Sequence, residues 1–195
     1  MKRCFVAFGM APETSQALQN AQTALLRLRC APSTKLRAVK AANLHLTLKF
    51  LGAIEDDVVP RVTAALENIA TRTPSVPVSL RGLETFGGPR PRAIFAQVAT
   101  GSDYIVELTQ RIDRALVPLG LEAEAKPRVP HVTLFRVEAK KRDPGLLSYL
   151  SRHHNEPLYG AVDTSAIILY ESQLREAGSY YHELGRFSLL PSAAK

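Results

Sequence analysis

The chain has 195 residues, of which 46% are hydrophobic and 22% charged. That balance excludes a disordered tail protein and is enough to build a core without disulfides. Twenty-five Lys and Arg against eighteen Asp and Glu leave a net charge of +7, which favours an anionic partner: nucleic acid, nucleotide or anionic lipid. Cys4 and Cys30 form no C-x-x-C pair, which argues against a zinc ribbon or redox dithiol. No stretch approaches the roughly 18 apolar residues of a membrane span, and the apolar start is too short for a signal peptide. The expectation is a cytoplasmic protein with reduced cysteines.

Residues 4–8 are short, apolar and β-rich, and predict a buried strand. Pro12 opens a helix whose Leu18, Ala21, Leu25 and Leu28 share one face. Residues 44–50 predict a strand. A second helix follows Glu55, Asp56 and Asp57, with Val58, Val62, Leu66 and Ile69 on its stripe. Strands over 76–83 and 93–99 flank the basic, Gly/Pro-rich loop Gly87-Gly88-Pro89-Arg90-Pro91-Arg92. A third helix starts near Ser102 and carries Ile105, Leu108, Ile112 and Leu116. A strand over 131–137 leads to a basic turn, 138–143, with Lys140, Lys141 and Arg142. Asp143-Pro144 is a cap followed by proline at the first helical position and announces a fourth helix. Strands over 161–171 and 180–189 end the chain. Strands outnumber helices and often follow one another directly, so the fold class expected is α+β with largely antiparallel sheet.

The most specific signal is internal. His45-Leu46-Thr47-Leu48 recurs as His131-Val132-Thr133-Leu134, 86 residues later, in both cases on a predicted strand. A duplication with two similar lobes facing one another explains this. Alternate strand residues share a face. His45 and Thr47 therefore point one way, and Leu44, Leu46, Leu48 and Phe50 the other. His131 and Thr133 share a face, with Val132 and Leu134 turned to the core. Each copy offers an imidazole and a hydroxyl ~7 Å apart along the strand.

Two opposed imidazoles suit a displacement in which one proton is removed and another delivered. With a reference pKa of ~6.5, one ring can be neutral and the other charged near neutral pH. Phosphodiester hydrolysis has that requirement, because the attacking water loses a proton and the leaving alkoxide gains one. The threonine hydroxyls can donate to the non-bridging oxygens where charge builds. No metal or other cofactor is called for. Arg128, just before the second motif, is a candidate to steer the phosphate, and Phe50 a candidate substrate contact. His153-His154 has no third ligand at metal-binding spacing and reads as a surface loop. There is no P-loop, dinucleotide glycine fingerprint or H-E-x-x-H motif.

Asn43-Leu44-His45-Leu46-Thr47-Leu48-Lys49-Phe50-Leu51-Gly52 and Pro130-His131-Val132-Thr133-Leu134-Phe135-Arg136 resemble the paired H-x-T-x signatures of the two-histidine (2H) phosphoesterases. The resemblance is to the bacterial RNA 2′,3′-cyclic phosphodiesterases, long called 2′-5′ RNA ligases. It extends to Arg3-Cys4-Phe5-Val6-Ala7-Phe8, to the Pro-Arg loop before Ala93-Ile94-Phe95-Ala96, and to the last hairpin. It implies one domain, 1–195, of two interlocked, pseudo-symmetric lobes, with antiparallel sheets lining a central groove and helices outside. It implies metal-free opening of RNA 2′,3′-cyclic phosphate to 2′-phosphate. His45 would donate a proton to the 3′ oxygen, His131 would accept one from water, and Thr47 and Thr133 would grip the phosphate. Arg136 matches a family arginine near the phosphate, although strict alternation puts it opposite His131, so a bulge is required. Phe95 stands where relatives often carry tryptophan. A monomer acting on RNA ends is expected. The alternatives are a 2′-5′ ligase or phosphodiesterase, a small cyclic nucleotide phosphodiesterase, and a non-catalytic RNA-end binding module.

Overall fold

A computed structural model of the chain describes residues 1–124, 129–176 and 178–192. The elements run β1 (Lys2–Met10), α1 (Pro12–Leu26), β2 (Thr34–Ala38), β3 (Leu46–Ile54), α2 (Val59–Ala70), β4 (Ser79–Phe86), β5 (Ala93–Thr100), α3 (Ser102–Leu116), β6 (His131–Ala139), α4 (Pro144–Arg152), β7 (Leu158–Arg175) and β8 (Gly178–Ser188). All four expected helices form. Proline starts α1 and α4, and the Asp143 carboxylate caps α4 by accepting from the Leu146 N–H. Strand β2 was not expected: its Thr-Lys-Leu-Arg-Ala run has too little apolar alternation to signal a strand.

The strands do not form two separate sheets. They join in one antiparallel sheet in the order β1-β3-β6-β5-β4-β7-β8, and β7 returns to β1, so the sheet closes into a ring. Strand β2 adds to the outer half of β6, pairing Leu36 with Val137 and Arg37 with Arg136. The β3–β6 seam is a single residue pair, Leu46 with Val132.

One face of the ring packs on the helices. Val6, Phe8, Leu46, Leu48, Ile94, Val132, Leu134 and Leu169 join Leu18, Leu25, Leu66, Leu108, Ile112 and Leu146 in one continuous core. Phe5 and Phe95 are also buried, 3% and 2% exposed, but they belong to the other face. Alternation thus separates a helix-covered side from a side lined by rings and polar groups.

The chain after α4 is docked against β4 by the Leu83 N–H to the His153 carbonyl at 2.7 Å and the Gly82 N–H to the Pro157 carbonyl at 2.9 Å. Gly82 has φ +55°, and a Cβ there would meet the His154 carbonyl oxygen at 1.8 Å. Gly82→Ala combines a left-handed backbone with a backbone clash, at a cost of about 1–3 kcal/mol or more. Thermal unfolding of this variant should begin roughly 5–10 °C lower, and an unchanged Tm would contradict the close approach.

Candidate active site

Both tetrapeptides end in a β-bulge. In β3, Val6 pairs with Lys49 and Ala7 with Thr47, so Leu48 is the extra residue. In β6, Ile94 pairs with Phe135 and Phe95 with Thr133, so Leu134 is the extra residue. Consecutive residues after each bulge are then buried: Leu48 and Lys49, Leu134 and Phe135. The Leu134 carbonyl, displaced from the regular ladder, accepts from the Val39 N–H at 2.8 Å and from Gln22 Nε2 on α1 at 2.9 Å, so this buried acceptor is satisfied.

The bulges reset the alternation. Phe50 does not join Leu44, Leu46 and Leu48 on the core side. It is 49% exposed, its ring lies 6.1 Å from Phe5 on the open face, and Lys49 takes the inward position. Arg136 likewise moves to the face of His131 and Thr133 and is exposed. Its charge is among those that lower the His45 pKa. Arg128, the remaining candidate, lies outside the described residues.

The seam brings the two motifs side by side. Leu46 opposes Val132, so one step along each strand sets His45 next to Thr133 and Thr47 next to His131. Opposed residues in such a pair are about 5 Å apart at Cα. The two histidines occupy diagonal corners of this rectangle, and regular sheet geometry separates their Cα atoms by about 8 Å. The hydroxyls occupy the other diagonal.

The two imidazoles are held identically. His45 Nδ1–H donates to the Asn43 carbonyl and His131 Nδ1–H to the Val129 carbonyl, each at 2.7 Å and each two residues back. A carbonyl only accepts, so in both rings the proton on the neutral form sits on Nδ1, and Nε2 is the atom that gains or loses one. Aromatic walls fix the ring planes. Phe5 lies 4.8 Å and Tyr181 5.3 Å from His45. Phe95 lies 4.9 Å and Phe86 5.0 Å from His131. Asn43 Nδ2 donates to the Ser179 carbonyl at 2.8 Å, tying the approach to His45 to β8. Burial lowers the His45 pKa from its ordinary value. The Asn43 carbonyl opposes that, and the charges of His131 and Arg136 push it lower still.

The profile of the 2′-5′ RNA ligase superfamily matches residues 11–174. The chain belongs to this superfamily. A protein of Aeropyrum pernix named RNA 2′,3′-cyclic phosphodiesterase is 31% identical over 150 residues, 76% of this chain and 84% of the relative. One of the same name from Aquifex aeolicus is 29% identical over 153 residues, 77% and 80% of the two chains. Among solved structures, a Thermus thermophilus protein superposes with a TM-score of 0.76 at 27% identity, covering 96% of this chain and 97% of its own. E. coli LigT, at 21% identity and a TM-score of 0.73 over 96% and 98%, shares the fold.

Phe86 and Lys49 are features of this superfamily member that the sequence did not single out, and the contact of Tyr181 with His45 is one that the paired motifs do not announce. Phe86 and Tyr181 sit on strands remote in sequence from the motifs, and only the closed ring brings them to the histidines. Lys49 was within the quoted motif, but its burial depends on the bulge. His153 and His154 diverge: His153 stacks on Tyr149 at 4.1 Å, while His154 reaches Glu84 at 3.1 Å. Among the described residues no three His, Cys, Asp or Glu side chains gather to hold a metal, and no helix is long and apolar enough to cross a membrane.

Proposed function

We propose that the chain hydrolyses RNA 2′,3′-cyclic phosphate ends to 2′-phosphates, with His45 and His131 as proton donor and acceptor. The observation that carries this is the diagonal arrangement of the motifs across the Leu46–Val132 seam. In-line displacement needs its acid and base on opposite sides of phosphorus. Imidazoles on one diagonal meet that need, and Thr47 and Thr133 on the other face the non-bridging oxygens. The relatives named RNA 2′,3′-cyclic phosphodiesterase support the substrate.

The steps balance without a covalent intermediate. Water approaches phosphorus opposite the 3′ oxygen, and Nε2 of His131 takes its proton as the new P–O bond forms. The P–O3′ bond breaks, and the departing oxygen takes a proton from Nε2 of His45. Arg136, brought to this face by the Leu134 bulge, offsets the charge on the phosphoryl oxygens. The matched bulges and the matched Nδ1 bonds support a reading of the domain as two interlocked, pseudo-symmetric halves. The protein would act as a monomer in the cytoplasm, with no cofactor.

A short RNA ending in 2′,3′-cyclic phosphate should yield only the 2′-phosphate, at a rate unchanged by EDTA. Formation of the 3′-phosphate, or loss of activity restored by an added divalent cation, would overturn this mechanism.

A further inference from the structure

Beyond the reacting phosphate, we propose that the outer half of β6 and strand β2 form a track for the phosphate backbone of an RNA chain lying 5′ to the cyclic end. This rests on the function proposed above and makes the substrate an oligonucleotide rather than a free mononucleotide.

The register puts the charges in one row. Arg136 and Glu138 are exposed on the face that carries His131 and Thr133. Across the ladder, Arg37 opposes Arg136 and Lys35 opposes Glu138, and both Arg37 and Lys35 are exposed. Cross-strand partners share a face, so the row reads Arg136, Arg37, Lys35 as it leaves the histidines. The Lys140 N–H donates to the Ser33 carbonyl at 3.4 Å, and Asp143 Oδ2 accepts from the Ala31 N–H at 2.8 Å. These bonds hold the turn with Lys140, Lys141 and Arg142 beside the start of β2. On the opposite edge of β6 the Val137 N–H donates to the Arg92 carbonyl at 2.9 Å, so the basic β4–β5 hairpin ends there too. Two basic stretches far apart in the sequence thus meet at one end of one strand.

The row sets three cations, Arg136, Arg37 and Lys35, against one carboxylate, Glu138. Two arginines, Arg37 and Arg136, face each other directly, an arrangement that opposes folding by itself. Glu138 is the one carboxylate in the row, and it is bonded to Arg37 at 2.8 Å in an exposed pair. An incoming anion relieves that repulsion. The row runs from His131 over seven residues of strand, about 20 Å, long enough for several nucleotides of single strand. Charge contacts of this kind carry no base preference.

The test compares the triple variant Lys35→Ala, Lys140→Ala, Lys141→Ala with a charge-matched control away from the row, Arg61→Ala on α2, Arg72→Ala in the turn after α2 and Arg114→Ala on α3. Binding is read with a labelled eight-nucleotide RNA already ending in 2′-phosphate, which needs no turnover. The track variant should weaken binding about tenfold at 0.1 M salt and reduce the salt slope by about 2, at ~0.7 per contact. The control should change both far less. Equal losses in both variants mean net charge alone is sensed, and an unchanged Kd in the track variant means the RNA runs elsewhere; either result overturns the track. Hydrolysis of a mononucleoside 2′,3′-cyclic phosphate should be unchanged in the track variant, and its loss would mean that the row serves the reaction itself. Failure of the unmodified protein to hydrolyse any cyclic phosphate would sink the proposed reaction and leave the binding result to decide the track.

Discussion

Replacing either motif histidine by alanine should lower turnover on a 2′,3′-cyclic RNA end by at least two decades, with the fold intact. A positioned acid or base typically contributes ~10²–10⁴ in rate, and both histidines are half-buried on the face of the sheet away from the helices, so truncation leaves the helix-covered core untouched. The two variants should part on a second substrate. An aryl phosphodiester expels a phenolate that needs no proton. His45→Ala should therefore recover most of its loss there, and His131→Ala should not. The reverse pattern would exchange the roles, and full activity in either variant would remove that histidine from the mechanism. The pH profile carries the same information. Burial, aided by the charges of His131 and Arg136, lowers the His45 pKa. As the donor it must be protonated, so the alkaline limb of kcat/KM should fall with an apparent pKa below the reference ~6.5. Bound phosphate opposes that shift by its charge, and the same limb in kcat should move to higher pH.

Lys49→Ala is expected to be the most destabilising single change in the first motif. The Lys49 side chain is 1% exposed; its ammonium bonds Asp113 on α3 and donates to the Glu122 carbonyl at 2.8 Å. Asp113 also accepts from the Glu124 N–H at 3.2 Å. Removing one partner of a buried pair costs about 3–5 kcal/mol. Asp113 is 19% exposed, which puts the cost at the lower end. At about 2–4 °C per kcal/mol for a chain of this size, Tm should drop by roughly 6–12 °C. The pair also sets an acid limit. Burial pushes the Asp113 carboxyl up, but the Lys49 ammonium and the Glu124 N–H outweigh it and hold its pKa below the ordinary value. A depressed native pKa means that the unfolded chain binds more protons. This stabilisation is present above pH ~4 and is lost as pH falls through the native value. Denaturant midpoints measured from pH 6 to pH 3 should show that loss in the parent protein and much less of it in Lys49→Ala.

Residues governed by period two were legible in the sequence. The H-x-T pairs and the apolar stripes of the four helices depend on local periodicity and sit where the pattern expects, while β3 starts only at Leu46, just after His45, and α4 alone carries a side-chain cap. What was not legible depends on the bulges and on closure. One extra residue at Leu48 turned Phe50 outward and Lys49 inward, against the alternation that groups Phe50 with the leucines. The same event at Leu134 is what Arg136 needed, but nothing in Leu-Phe-Arg announces it. A bulge is stabilised by partners far away, here Gln22 on α1 and Val39, and a local pattern does not contain them. Tyr181 and Phe86 became neighbours of the histidines through strand pairings 136 and 45 residues distant in the chain. Strand β2 is held by pairing with β6 and not by an apolar face of its own, which is why its composition gave no signal.

The ring is narrowest in hydrogen bonds where Leu46 meets Val132, directly beneath the two imidazoles. A seam one pair wide offers little backbone resistance to a change in the spacing of His45 and His131. Under the proposed reaction, the spacing between the two rings then depends on the β1–β3 and β5–β6 ladders that hold the motif strands, and a change in those ladders reaches the reaction as a change of distance between unaltered groups.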